Sequence, residues 1–226
     1  EYFQQHGDVL AEYTPPEQTD DTVVYEAAIN DPAWYKPLDL ADEPAFNVEL
    51  AERSLELLAQ FGEYQEMVVP FVDADILRIA AYFADSKFVG VRRRAAELIG
   101  RAVAHKKFAH QFVEEGGISL FIRHKRHPLS DVTIWYLSVA LYRIACVPSA
   151  MEIVLTLDDN TVDEFLQCTM ELLCHTNALT QRFIILFFSM AIAFPKVLDY
   201  FDSELGFFTV ARAMVDPIPP QVARAM

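Results

Sequence analysis

Residues 107–124 read KFAHQFVEEGGISLFIRH. Phe108, Phe112 and Val113 fall at helical spacing, and Ile118, Phe121 and Ile122 do so again after an interruption. The interruption is Gly116-Gly117, and glycine reaches the positive-φ backbone that commonly closes a helix without a Cβ clash. The spacing predicts a short helix over residues 107–114, a break, and a second helix beginning at Ile118. Each helix has one apolar face, and neither can bury it alone.

The same plan recurs as EYQEMVVPFVDADIL from Glu63, SAMEIVLTLDDNTV from Ser149 and PKVLDYFDSELGFF from Pro195. With Ile76, Ile118, Val162 and Phe207 taken as equivalent helix starts, the copies follow at 42, 44 and 45 residues. Periods of about 40 to 47 residues belong to armadillo and HEAT arrays. Between the copies lie long apolar segments at 91–104, 132–146 and 181–193. The expected fold is all-α, an armadillo/HEAT-like right-handed α-solenoid of about four repeats. Each repeat has a short helix, a groove-lining helix (76–83, 118–126, 162–173, 207–214) and a long core helix. Asp73, Ser130, Asp159 and Asn177 are the expected N-caps.

Residues 1–45 differ from the rest. Pro15-Pro16, Pro32, Pro37 and Pro44 interrupt any continuous helix there. They define an irregular leader with short helices, anchored by Trp34 and Tyr35, ahead of a helical repeat domain at 46–226. From Val48 the sequence is helical, with Leu50, Leu55, Leu57, Leu58 and Phe61 on the expected apolar side of the first helix.

Composition narrows function. Thirty-three acidic against 18 basic residues give a net charge of -15, which disfavours binding to a phosphate backbone, so no nucleic acid is expected as a partner. The apolar run 183–194 is shorter than the roughly 20 residues that span a bilayer, so it reads as a core helix and no membrane association is expected. No signal peptide is visible. Cys146, Cys168 and Cys174 form no CxxC pair and read as reduced, buried thiols of a cytosolic or nuclear protein.

Chemistry-bearing patterns are sparse. His124 and His127 share a helical turn without an accompanying carboxylate or thiol, and His175 also lacks ligand partners, so no metal or other cofactor is expected. A kinase needs a glycine-rich phosphate loop, a strand lysine and HRD and DFG triplets; Gly116-Gly117 sits between helices and neither triplet occurs. No catalytic residue is assigned. The two cationic clusters, Arg92-Arg93-Arg94 and the stretch containing Arg123, Lys125 and Arg126, are the candidate partner-binding residues. Successive helical positions turn by about 100°, so Arg92, Arg93 and Arg94 cannot share one face.

The segments Phe61-Gly62-Glu63-Tyr64-Gln65-Glu66 and His105-Lys106-Lys107-Phe108-Ala109, with Phe112-Val113 and Gly116-Gly117, resemble the armadillo-like region of the Vpr-binding protein (Mahjong) family. Trp135-Tyr136-Leu137-Ser138, Ala150-Met151-Glu152, Met170-Glu171 with Cys174-His175, and Val197-Leu198-Asp199-Tyr200-Phe201-Asp202 follow in the same order. The resemblance covers residues 60–215. It implies the helical, non-catalytic scaffold region of a cullin-4 RING ubiquitin ligase substrate receptor, found in nucleus and cytoplasm. The implied contacts are substrate recruitment, self-association into a homo-oligomer, or ligase assembly. Neither Trp34 nor Trp135 lies in a Trp-Asp dipeptide, and no strand-rich propeller blade is visible, so docking to the cullin-4 ligase complex is expected through parts of the protein outside this chain. The alternative is an armadillo-type peptide receptor outside the ubiquitin system. Such a receptor needs repeated Asn and Trp in its groove, and the expected groove-lining segments contain neither.

Overall fold

The computed structural model describes residues 47–125, 130–175, 177–204 and 206–215. The expected leader and its anchors Trp34 and Tyr35 lie outside the described residues. The described chain is built from twelve α-helices. They are α1 (Val48–Phe61), α2 (Val68–Asp73), α3 (Ile76–Ala84), α4 (Val89–Ala102), α5 (Lys106–Glu114), α6 (Gly117–Lys125), α7 (Asp131–Ala145), α8 (Pro148–Leu155), α9 (Asp159–Glu171), α10 (Ala178–Ala191), α11 (Pro195–Ser203) and α12 (Gly206–Val215).

Helices α2-α3-α4, α5-α6-α7 and α8-α9-α10 are three successive units; α1 precedes them as a long helix and α11-α12 open a fourth. Like elements stack on like. The long helices α1, α4, α7 and α10 pack in sequence order as one layer, and the short helices α2, α5 and α8 form a parallel row. A unit that buries its apolar face only against its neighbours is the defining property of an α-solenoid, here of armadillo/HEAT type. The order within each unit is the expected one, short helix, second helix, long third helix. The expected groove-lining segments fall on the second helices α3, α6, α9 and α12, apart from residues 172–173, which lie beyond α9, and Arg126, which lies outside the described residues.

The junction after each short helix shows why the units repeat. Phe71, Phe112, Val154 and Phe201 are buried, and each stands five residues before a second-helix start at Ile76, Gly117, Asp159 and Gly206. A Cβ at Gly117 would enter the Phe112 ring, and one at Gly206 would enter the Phe201 ring. The residue just before the start is left-handed in two units, Asp75 at φ 52° and Gly116 at φ 83°. Gly116 meets that conformation without strain, as its sequence suggested, whereas Asp75 carries a modest steric penalty.

Caps fix the other starts. Asn47 accepts from the Leu50 amide at 3.0 Å, Ser130 from Thr133 at 3.3 Å and Asn177 from Leu179 at 2.9 Å. At α9 the cap is Asp158, which accepts from the Thr161 amide at 3.0 Å, while the expected Asp159 is already the first helical residue. The hydrogen bonds to Thr161 hold the Asp158 carboxyl below its usual range. Asp73 ends α2 and caps nothing.

The long-helix layer is the centre of the core. In α7 every residue except Asp131, Ile134 and Arg143 is buried, including Trp135. On α1 the expected apolar face is split. Leu55 and Ala59 are buried, but Leu50, Leu57 and Phe61 face outward because no earlier long helix stands against them among the described residues. Of the cysteines, Cys168 is buried and Cys146 half-buried, with burial pushing the Cys146 thiol up, whereas Cys174 is exposed, against expectation.

In this layer α4 comes close to α7 at Gly100, where a Cβ would sit 3.0 Å from the Tyr136 carbonyl oxygen. Gly100→Val is expected to force α4 and α7 apart and to destabilise the fold by about 1–3 kcal/mol in urea denaturation, with Gly100→Ala milder. Equal stability of the valine variant and the parent would show that the approach is not needed.

Candidate interaction surface

The cationic cluster on α4 is placed by helix rotation, as its spacing required. Arg92 is buried at 7% exposure. Arg93 reaches Glu52 of α1 at 3.7 Å, and Arg94 reaches Glu56 of α1 at 2.5 Å. Arg94 also pairs with Glu97 at 2.9 Å, and Arg101 approaches Glu97 from the other side at 3.1 Å. Glu97 is only 6% exposed, so two guanidinium groups flank a buried carboxylate. Burial works against the charge on Arg94, yet hydrogen bonding and attraction from Glu97, with attraction from Glu56, raise its pKa. The sequence identified the arginines but not their carboxylates, because Glu52 and Glu56 lie about forty residues away and only stacking brings them close.

The second cluster is divided. Arg123 of α6 pairs with Asp85, just after α3, at 2.9 Å. Lys125 ends α6 and Arg126 lies outside the described residues. A third cation ties the layers: Arg143 of α7 donates to the carbonyls of Gly100 at 2.7 Å and Arg101 at 3.2 Å, and pairs with Glu63 at 2.7 Å. A cation at these carbonyls opposes the negative end of the α4 dipole.

Among the described residues no group of three His, Cys, Asp or Glu side chains could hold a metal ion. His175 accepts from the Asn177 amide through Nδ1 at 3.1 Å, and burial lowers its pKa against the opposing pull of Asp131. His110 bonds Ser149 at 2.7 Å. No single helix among the described residues is long and apolar enough to cross a membrane.

The exposed apolar residues gather at the two ends of the array. Leu50 is 64% exposed, Leu57 56%, Phe61 40% and, just beyond α1, Tyr64 58%. At the other end Phe207 is 57% and Phe208 67% exposed, with Met190 and Leu198 also open. On α1, Leu50 and Leu57 stand seven residues apart and Phe61 four further on, a stripe that another helix can cover. Sequence periodicity alone could not mark these positions, because they follow the same apolar pattern as their buried counterparts.

Burial, reinforced by the Glu97 carboxylate, pushes the Tyr136 phenol well above its usual range. The folded protein thus favours the neutral phenol. That stabilisation is complete below the unfolded pKa of about 10 and is lost as pH rises above it. Stability should therefore fall progressively as pH rises above about 10, and Tyr136→Phe should flatten the slope of the denaturation midpoint against pH there. A separate test removes the carboxylate. Glu97→Leu leaves Arg94 and Arg101 facing each other and is expected to cost about 2–4 kcal/mol of unfolding free energy, discounted for the partial exposure of both arginines. A loss below about 0.5 kcal/mol would mean that the network is neutral, as surface pairs are.

Residues 49–158 match a family model described as the Mahjong helical domain. Over 177 residues the chain is 28% identical to the DDB1- and CUL4-associated factor homolog 1 of Caenorhabditis elegans, covering 76% of this chain and 10% of that protein. It is 23% identical over 176 residues to Protein mahjong of Drosophila melanogaster, covering 76% of this chain and 11% of that protein. A 108-residue stretch is 32% identical to the Arabidopsis thaliana homolog 1, covering 48% of this chain and 6% of that protein. The chain thus spans about a tenth of the length of these relatives. Among solved structures, an engineered protein aligns at TM-score 0.47 with 12% identity, over 77% of this chain and 86% of its own. A designed armadillo repeat protein aligns at TM-score 0.45 with 12% identity, over 78% and 90%. In sequence, the stacked helices from Glu49 to Asp158 resemble the Mahjong helical domain, and the chain is similar to proteins named mahjong and DDB1- and CUL4-associated factor homolog 1.

Proposed function

We propose that this array is the non-catalytic helical scaffold of a cullin-4 RING ubiquitin ligase substrate receptor, acting in nucleus and cytoplasm. Its role is to hold proteins: a substrate, another copy of the receptor, or a ligase subunit. The observation that carries the reading is the match of residues 49–158 to the Mahjong helical domain, in a chain related to proteins named as DDB1- and CUL4-associated factors. The structure supports a contact role through the apolar stripes at both ends of the array, which suit a macromolecular partner. Association with the ligase core is assigned to other parts of the receptor. The chemistry of ubiquitin transfer is assigned to the ligase's other subunits.

The peptide-receptor reading is less favoured. Placed on the long third helices α1, α4, α7 and α10, the residues that would grip a peptide reduce to Trp135, and that side chain is 2% exposed.

In the full receptor, replacing Leu57 and Phe208 together by Asp is expected to reduce substrate ubiquitination at least tenfold while adaptor association persists, equivalent to about 1.4 kcal/mol of lost contact. Purified chain should show no ATP turnover above background. Unchanged ubiquitination by the doubly substituted receptor would remove the end stripes from the contact role. Failure of the receptor to associate with a cullin-4 complex would overturn the assignment itself.

A further inference from the structure

We propose that the groove between α2 and α5 binds the acidic leader, residues 1–46, of the same chain. Comparing equivalent repeat positions gives the first observation. Lys107 stands five residues before Phe112, as Lys196 stands five before Phe201. Helix α11 packs on α9 as α5 packs on α3, and there Lys196 pairs with Asp159 at 2.6 Å. Counted from the equivalent residues Val162 and Ile76, the position corresponding to Asp159 is Asp73, and no ion pair joins Asp73 to Lys107 among the described residues. Lys107 is therefore without the ion pair that its counterpart Lys196 makes.

The lysine is not alone. Lys106 and Lys107 are both exposed, occupy the first turn of α5, and make no ion pair among the described residues. Cations at the positive end of a helix dipole are unfavourable, and the N-cap His105 contributes no side-chain bond there. The groove beside them has a volume of about 660 Å³ and is lined by Val72, Lys106, Lys107, His110, Gln111 and Glu114. By contrast, Arg93, Arg94, Arg101, Arg143 and Lys196 already have intramolecular carboxylates.

The composition of the chain points to the occupant. Eleven of its 33 acidic residues and one of its 18 basic residues fall in residues 1–46, so the leader carries -10 of the net charge of -15. Acidic residues there adjoin large aromatics, as in Glu12-Tyr13, Tyr25-Glu26 and the Asp31 to Tyr35 stretch. Such a segment offers carboxylates to the lysines and rings to Val72. It ends at Phe46, next to the cap of α1, and a covalently attached segment meets a groove on its own domain at an effective concentration on the order of millimolar. An acidic segment of a second copy or of another protein would have to compete with that.

Carbodiimide cross-linking of the full chain, as an equal mixture of unlabelled and nitrogen-15-labelled protein, tests the assignment. The expected result is zero-length links from Lys106 and Lys107 to carboxylates of residues 1–46, joining peptides of the same label. Their yield should fall about tenfold in about 1 M salt, where the Debye length shrinks to about 3 Å. Lys106→Glu with Lys107→Glu, both exposed and so compatible with folding, should raise the rate of leader proteolysis at least fivefold while the melting transition of the array is unchanged. Links joining the two labels would overturn the proposal in favour of a second copy. Links confined to array carboxylates such as Glu114, or a leader equally protected in the variant, would overturn it outright.

Discussion

The close stacking of the four long helices is the constraint on which the rest of the structure depends. Helix α7 can be almost wholly apolar only because α4 and α10 cover it on two sides, and this holds the backbones of α4 and α7 close at Gly100. Once those helices are in register, the short and second helices have little choice of position, since each unit's junction is pinned by a buried side chain five residues before the turn. Electrostatics follows the same register. Glu56, Arg94, Glu97 and Arg101 form one continuous set of contacts spanning α1 and α4. A buried ionic set of this kind is a weak source of net stability but a strong penalty for misalignment, because any slip leaves a charge without its partner.

Much of this architecture was legible in the residues because repetition multiplies a weak signal. One Gly-Gly break between two apolar helices says little, whereas four copies about 42 to 45 residues apart specify the solenoid. The break itself was read correctly at Gly116. Asp75, in the equivalent left-handed position, shows that the geometry persists where the favoured residue is missing. Capping was legible where a side chain of the right type stood alone, as at Ser130 and Asn177. It was misplaced by one residue in Asp158-Asp159, where both candidates have the same chemistry.

The surface was far less legible. Leu55, which is buried, and Leu57, which is open, are two residues apart and so lie on opposite sides of α1. Both sides are apolar, and which one is covered depends on what stands opposite, which the helix's own sequence does not encode. The arginine cluster was found as a cluster, but its meaning depends on Glu97 of the same helix together with Glu52 and Glu56, which arrive from α1. The order of short, second and long helices was legible from the segment lengths, whereas periodicity leaves open which helix of the unit faces a groove.

The near-complete burial of α7, set against the open sides of α1 and α12, has a further consequence for how the array comes apart. In a structure held by nearest-neighbour contacts, a unit with two neighbours is harder to release than one with a single neighbour. Opening therefore starts at the ends and travels inward, so that the middle unit holds its amide protons longest. The surfaces offered to partners are then the parts that loosen first, and whatever docks there acts as a clasp on the whole row.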